Sequence, residues 1–201
     1  MPSALLLIAE GTEEMEFTIT YDVLVRGGVN VKSAYVGSSA HSGPDDPHGT
    51  DFVTCSRGVK IVPDLRLPDL AGGKALEEYD AIVVPGGNKG AEIISSNEDV
   101  TKLISAFYGK GKVVACICAG TLAIKAAEVG KDSAITSHPS VKAELEKDYR
   151  YKEDRVVVAE NMITSRGPGT TFGFALAIVE ALAGKEKREE IEGPMVLPPT
   201  L

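Results

Sequence analysis

Lys112-Val113-Val114-Ala115-Cys116-Ile117-Cys118-Ala119-Gly120-Thr121 is the stretch whose reading decides the fold. Val113 to Ile117 is an unbroken apolar run, the signature of a parallel-sheet strand covered on both faces. A small-residue turn, Cys118-Ala119-Gly120, follows at once. Beyond it Leu122, Ala123, Ala126, Ala127 and Val129 recur at helical spacing until Gly130 stops them. Cys118 is therefore expected on a strand-to-helix corner, raised from the sheet edge toward the N–H groups of the incoming helix. Helix dipole and N–H donors both favour a thiolate, so the thiol pKa is expected to fall and the side chain to be a nucleophile. The competing reading is packing, because free cysteines are among the most buried residues. It fits Cys116, inside the run, better than Cys118 at its end.

Upstream, Ala4 to Ala9 reads as a central first strand, followed by a turn at Gly11-Thr12 and a helix from about Glu13 to Arg26 with Thr12 as a cap. Glu16 shares a face of that helix with Ile19 and Val23. A carboxyl buried there would hold its proton and donate to a nearby thiolate. Periodicity alone leans the other way, toward a solvated glutamate at a helix start. Val29 to Val36 is a second strand, and Gly37 to Asp51 is a polar loop. Its His41, Asp45, Asp46 and His48 have no fixed metal geometry, and exposure is the favoured reading. Phe52 to Cys55 and Val59 to Val62 form a short hairpin, and Pro63 to Pro68 an irregular connection. Cys55 reads as half-buried packing. Ala81 to Val84 is another buried strand, ending in Pro85-Gly86-Gly87-Asn88-Lys89-Gly90. The paired glycines let the backbone approach a ligand and offer N–H donors. A helix from about Val100 to Tyr108 leads back to the opening stretch.

Downstream, Ala134 to Thr136 is a short strand ending in Ser137-His138-Pro139, with a helix from about Ser140 to Lys147. His138 is an acid/base candidate by its near-neutral pKa, or else a cap or core hydrogen bond. Val156 to Ala159 and Met162 to Ser165 form a second hairpin. Arg166 to Thr170 then turns the chain into a helix from Thr171 to Leu182 that is apolar nearly all round and must be covered on most sides.

Strands alternating with helices make an α/β layered domain with a mainly parallel sheet. Ligands in such folds sit at the C-terminal strand ends. Gly11 to Glu16, Gly86-Gly87, Cys118 and His138 each follow an expected strand, so their segments converge on one edge. The 201 residues are expected as a single domain, with 185–201 a charged, Pro-rich appendage. A net charge of −8, with no basic stripe, argues against nucleic acid as the primary partner. Three cysteines argue for a reducing compartment. No window reaches membrane length, so a soluble chain of the cytoplasm is expected; the nucleus is a second expected compartment, with no residue pattern behind it.

Ala9-Glu10-Gly11-Thr12-Glu13-Glu14-Met15-Glu16, Val84-Pro85-Gly86-Gly87-Asn88, Ile117-Cys118-Ala119-Gly120, Ser137-His138-Pro139 and Thr164 to Thr170 together resemble the DJ-one family, the Parkinson-associated branch of the DJ-one/PfpI superfamily. The resemblance implies a flavodoxin-like three-layer sandwich that forms a homodimer and needs no cofactor or metal. It makes Cys118 the oxidisable nucleophile and Glu16 the protonated carboxyl beside it. Gly87 and Ala119 become backbone donors to an oxyanion, and His138 the nearby histidine. It places Gly86 and Asn88 in the pocket, and Arg26, Arg57 and Pro168 near the pocket or the dimer contact. The implied activity is glutathione-independent conversion of a small α-oxoaldehyde, methylglyoxal, to lactate, with protein deglycation as a possible extension. A redox sensor or chaperone using the same thiol is the alternative, and a cysteine peptidase or amidase the third. Ala119 stands where the protease-like branch has histidine, and Thr121-Leu122 where the animal proteins have Pro-Thr.

Overall fold

The computed structural model describes residues 1–37 and 52–198. The loop with His41, Asp45, Asp46 and His48, and hence the metal question raised there, lies outside the described residues. Seven strands form the central sheet in the order β10-β11-β7-β6-β1-β2-β5. They are β1 (Ser3–Ile8), β2 (Asn30–Tyr35), β5 (Leu65–Arg66), β6 (Ala81–Val84), β7 (Val113–Ile117), β10 (Val156–Ala159) and β11 (Met162–Ser165). All neighbours run parallel except β10 and β11, which pair as an antiparallel hairpin. This is the flavodoxin-like α/β sandwich expected from the sequence, with β1, every residue buried, at its centre.

Helix α1 (Glu14–Arg26) returns the chain from β1 to β2 on one side, and the chain then crosses to β6 on the other side of β1. Strand order therefore reverses between β1 and β6. That switch point opens a crevice beyond the carboxyl ends of both strands. One face of the sheet is covered by α1 together with α7 (Thr171–Ala183), which carries Phe174, Leu176, Ile178 and Val179 into a core with Phe17, Val23 and Leu24. The other is covered by α2 (Lys74–Glu78), α3 (Asn88–Ser96), α4 (Glu98–Gly109) and α5 (Leu122–Ala126), around Ile94, Ile104, Phe107 and Ile124. The C-terminal helix, α8 (Lys185–Met195), lies against α7 and buries Ile191. No helix among the described residues is long and apolar enough to cross a membrane.

Small elements complete the molecule. Strands β3 (Val53–Thr54) and β4 (Lys60–Ile61) form the first expected hairpin. Strands β8 (Ala134–Ile135) and β9 (Arg150–Tyr151) make a parallel pair, and α6 (Lys142–Leu145) is a single turn. Several expectations need correction. Helix α1 is capped by Glu13, whose carboxylate accepts from the Glu16 N–H at 2.7 Å, while the Thr12 hydroxyl accepts instead from the Ala9 N–H. The connection from Pro63 to Pro68 contains β5, which extends the sheet beside β2. The helix after Cys118 is a four-residue 3-10 turn followed by five residues of α5, not a run to Val129.

Candidate active site

Three connections from adjacent strands build the site. After β7 the backbone turns sharply at Cys118, which holds φ at +63°, a left-handed conformation that a side chain disfavours. The turn lifts Cys118 out of the alternation of β7 and leaves it half-buried, whereas Cys116 within the strand is sealed. The connection after β6 comes close alongside. A Cβ added to Gly86 would lie 2.6 Å from the Cys118 Cβ, 2.9 Å from its Sγ and 2.6 Å from Glu16 Oε2, so only glycine fits. Gly87, at φ +88°, faces the Gly11 carbonyl with no room for a side chain either. Its N–H and that of Ala119 both reach the Cys118 sulfur.

Glu16 arrives from the first turn of α1 and is fully buried. Its Oε2 accepts the Gly86 N–H at 2.7 Å, and its carboxyl hydrogen-bonds the thiol. Oε1 has no hydrogen-bond partner. The solvated glutamate that periodicity favours is thus not what forms: the helix begins below the rim of the sheet, and Glu13 and Glu14 are buried with it. Burial pushes the Glu16 carboxyl up to about 7, against the Gly86 and Cys118 hydrogen bonds that lower it.

The thiol departs from expectation. Burial first, and then the charge of an ionised Glu16, push Cys118 up to about 12, against the N–H donors of Ala119 and Gly87. The reason lies first in burial and then in the proximity of a carboxylate, and the short 3-10 turn and α5 behind the thiol carry little dipole to offset them. When Glu16 holds its proton that repulsion disappears and the carboxyl becomes a donor. Thiol and carboxyl therefore behave as one unit, and a thiolate is favoured only beside a neutral Glu16.

The remaining candidates line an open cleft of about 660 Å³ together with Cys118 and Gly87: His138, Pro168, Arg57 and Asn88 are among its walls. His138 caps a 3-10 turn. Its Nδ1 accepts from the Ser140 N–H at 3.2 Å, so a neutral ring carries its proton on Nε2. The β3–β4 hairpin brings Arg57 to the mouth, because Glu14 accepts both the Arg57 N–H and the Ser56 hydroxyl at 2.7 Å. Arg26 does not join them. It is paired with Asp22 on the surface, about 15 Å further along α1 than Glu16 at the rise of an α-helix, which corrects its placement near the pocket. Sequence reading passed over Lys89, Glu10 and Glu13, which also line the cleft. The signal available for Lys89 was its position in the loop after β6, the loop already marked by its glycines. Among the described residues no group of three His, Cys, Asp or Glu side chains is placed to hold a metal.

Comparison with known proteins gives consistent matches. A family model described as the DJ-1/PfpI family matches residues 2–181. The chain is 40% identical over 190 residues to protein dj-1beta of Drosophila melanogaster, covering 94% of each. The crystal structure of Drosophila melanogaster DJ-1beta superposes with a TM-score of 0.87 at 37% identity, over 98% of both chains. Two relatives bear the name glutathione-independent glyoxalase. DJR-1.2 of Caenorhabditis elegans is 38% identical over 197 residues, covering 97% of this chain and 96% of the relative. DJ-1 of Schizosaccharomyces pombe is 32% identical over 201 residues, covering 98% and 100%.

Proposed function

The chain belongs to the DJ-1/PfpI family, and from that premise we propose that it is a glutathione-independent glyoxalase that converts methylglyoxal to lactate at Cys118. One observation carries the reading: a fully buried carboxyl, Glu16, hydrogen-bonded to a half-buried thiol on a strained corner, with glycine the only residue that fits between them. A carboxyl held up to about 7 exchanges protons near neutrality, which acid/base work requires.

In the proposed mechanism the Cys118 thiolate, beside protonated Glu16, adds to the aldehyde carbon. The carbonyl oxygen becomes an oxyanion held by the Gly87 and Ala119 N–H groups, and takes up a proton to give a hemithioacetal. Glu16 or His138 removes the hydrogen on that carbon as a proton, giving an enediolate, and returns it to the neighbouring carbon; the hemithioacetal hydroxyl gives up its proton and becomes the thioester carbonyl, while the neighbouring oxygen takes up that proton and becomes the new hydroxyl. The product of this transfer is a thioester of the 2-hydroxy acid. Water hydrolyses it, releasing lactate and restoring the thiol. Overall one water is consumed, and no electron leaves or enters the pair of carbons.

The test is a lactate assay with methylglyoxal on wild type, Cys118→Ser and Glu16→Gln. Steady turnover on the order of one per second in wild type, absent from Cys118→Ser, supports the enzyme. A redox sensor uses the same sulfur, whose flanking N–H donors suit sulfinate oxygens equally. Negligible turnover together with peroxide-dependent protection of client proteins would select that reading instead. Deglycation of protein-bound adducts would share the nucleophile and is checked on a glycated peptide with the same variants.

We also propose that the working form is a homodimer. Val25 on α1 and Val62 after β4, each about half exposed, line a groove with Phe17, Tyr21 and Ile61. Sedimentation is expected to give twice the 21.2 kDa chain mass, and Val25→Asp with Val62→Asp to shift it toward one.

A further inference from the structure

Two groups compete for one step of the mechanism, Glu16 and His138 as the base that moves the carbon proton, and the surroundings of the imidazole separate them. His138 reaches the cleft from the turn after β8, with its backbone N–H on the Cys118 carbonyl at 3.4 Å. Its ring is held between two neighbours. On one edge Nδ1 lies 2.8 Å from the Ser140 hydroxyl and 3.2 Å from the Ser140 N–H. A hydroxyl can bond such a nitrogen in either sense, whereas a backbone N–H can only donate. Nδ1 is therefore the acceptor, the hydroxyl donates to it as well, and the proton of the neutral ring is on Nε2. The opposite edge faces Glu16. A Cβ built on Gly167 would lie 3.6 Å from His138 Cδ2 and 4.0 Å from Glu16 Oε1, and would meet nothing else that close outside its adjacent residues. Imidazole and carboxyl thus border one small open space.

Lone pairs decide what each group can do there. Nε2 offers the cleft a hydrogen and no lone pair, because the lone pair of the neutral ring is taken by Ser140. Glu16 Oε1 offers the reverse: fully buried and without a hydrogen-bond partner, it presents free lone pairs. A neutral imidazole held by a backbone N–H at the start of a helical turn can polarise a carbonyl as a donor. The 3-10 turn that His138 caps, with Pro139 leading it, supplies that N–H from Ser140. A histidine base requires the opposite tautomer, with an acceptor beside Nδ1.

We propose that Ser140 is a positioning residue that fixes His138 as a hydrogen-bond donor, and that His138 holds the ketone oxygen of the α-oxoaldehyde while Glu16 alone carries the proton between its two carbons. The role toward substrate rests on the glyoxalase reading, whereas the tautomer does not. The step balances. Glu16, having given its proton to the hemithioacetal oxygen, takes the proton from the carbon that bears sulfur. The C–H electron pair forms the double bond to the neighbouring carbon, and the charge moves onto the ketone oxygen, where the Nε2–H meets it. Glu16 returns the same proton to that neighbouring carbon, the hemithioacetal hydroxyl loses its proton as the thioester carbonyl forms, and the former ketone oxygen gains one. His138 begins and ends neutral.

The first measurement is the tautomer, read at mildly alkaline pH from the ring 15N frequencies of histidine-labelled protein, with His138→Gln identifying the signals. His138 and Ser140 are both exposed, so substitutions there disturb no core. An unprotonated Nδ1 is expected in wild type and in Ser140→Thr, which keeps the hydroxyl and the N–H. Ser140→Asp sets an acceptor on the same edge and is expected to draw the proton to Nδ1. A protonated Nδ1 in wild type overturns the assignment, and a Ser140→Asp ring that keeps its proton on Nε2 overturns the positioning role. Turnover of methylglyoxal then separates donor from base by opposite signs. Ser140→Asp is expected to lower kcat about tenfold with KM within about twofold. His138→Gln, a donor without basicity, is expected to keep a kcat/KM at least about tenfold above that of His138→Ala. Unchanged or faster turnover in Ser140→Asp, or equal losses in His138→Gln and His138→Ala, overturn the donor. Wild type that forms no lactate removes the glyoxalase reading and with it the role toward substrate, while the tautomer still decides whether Ser140 fixes the ring.

Discussion

Cys116 and Cys118 stand two residues apart with one residue type and opposite surroundings. Cys116 lies within β7, fully buried, paired across to Val84 and Thr164, and burial alone drives its thiol upward. Cys118 lies just past the strand end, where a positive φ breaks the alternation and presents the sulfur to Glu16 and two backbone N–H groups. What separates them is the backbone, because the side chains are identical. The β7 interior excludes water and polar groups, and the corner assembles donors and a carboxyl around one atom.

The largest expected effect breaks this comparison at the corner. Cys118→Ser is expected to reduce lactate formation from methylglyoxal at least about a thousandfold, with little change in the unfolding midpoint. A steady-state product assay beside a urea titration checks both halves. Next is Gly86→Ala, which leaves every reacting atom in the sequence but places a methyl within 2.6 Å of both the Cys118 Cβ and Glu16 Oε2. Displacing the pair by even a fraction of an ångström is expected to cost about a hundredfold in kcat/KM. Turnover within twofold of wild type would show that the close approach of the three residues is incidental.

Glu16→Gln sharpens the comparison through pH. Burial holds the folded-state carboxyl at about 7 against an ordinary value of 4.5, so between those values the folded chain binds more protons than the unfolded one. Stability attached to Glu16 is then present at low pH and is lost as pH rises through this window. The neutral amide does not suffer that loss. At pH 8 Glu16→Gln is expected to be more stable than wild type by about 3 kcal/mol, and near pH 4 the two should coincide. Urea titrations at both pH values, at one fixed protein concentration, measure the difference. A constant gap at both would mean that Glu16 titrates normally.

Much of this was legible in the sequence because burial writes itself as apolar runs. The β1 and β7 runs and the Val156 to Ser165 hairpin were found where the structure has them. The convergence of their following loops also put Cys118, Gly86 and Gly87 on one edge. What resisted reading was set by contacts between segments. Helix α3 was hidden by Gly90, which looks like part of a turn. In the structure its missing side chain lets the helix press on Thr12, with a Cβ there only 2.7 Å from the Thr12 backbone nitrogen. Glu16 looked solvated because helical spacing does not record that the Gly86 N–H waits opposite it. Lys89 was passed over for a similar reason, since its seat is made by Gly11 in another loop.

The smallest expected effect lies at the other cysteine. Cys116→Ala removes one sulfur from the layer between β7 and the helices that cover it, where Ile124 and Tyr149 belong to the same core. The remaining void is small, and a buried thiol behaves as a modest hydrophobe, so a loss of about 1 kcal/mol is expected. No polar partner is stranded by the change, because burial is the sole influence on that thiol. Activity should stay within about twofold, since the Cys118 conformation is fixed from the far side by Gly86 and Gly120, the latter within 2.4 Å of the Pro85 carbonyl were a Cβ present. Urea unfolding and the lactate assay on the same preparation separate the two outcomes. A Cys116→Ala protein that keeps its stability but loses turnover would mean that the strand interior steers the corner, and that the two cysteines form one functional unit after all.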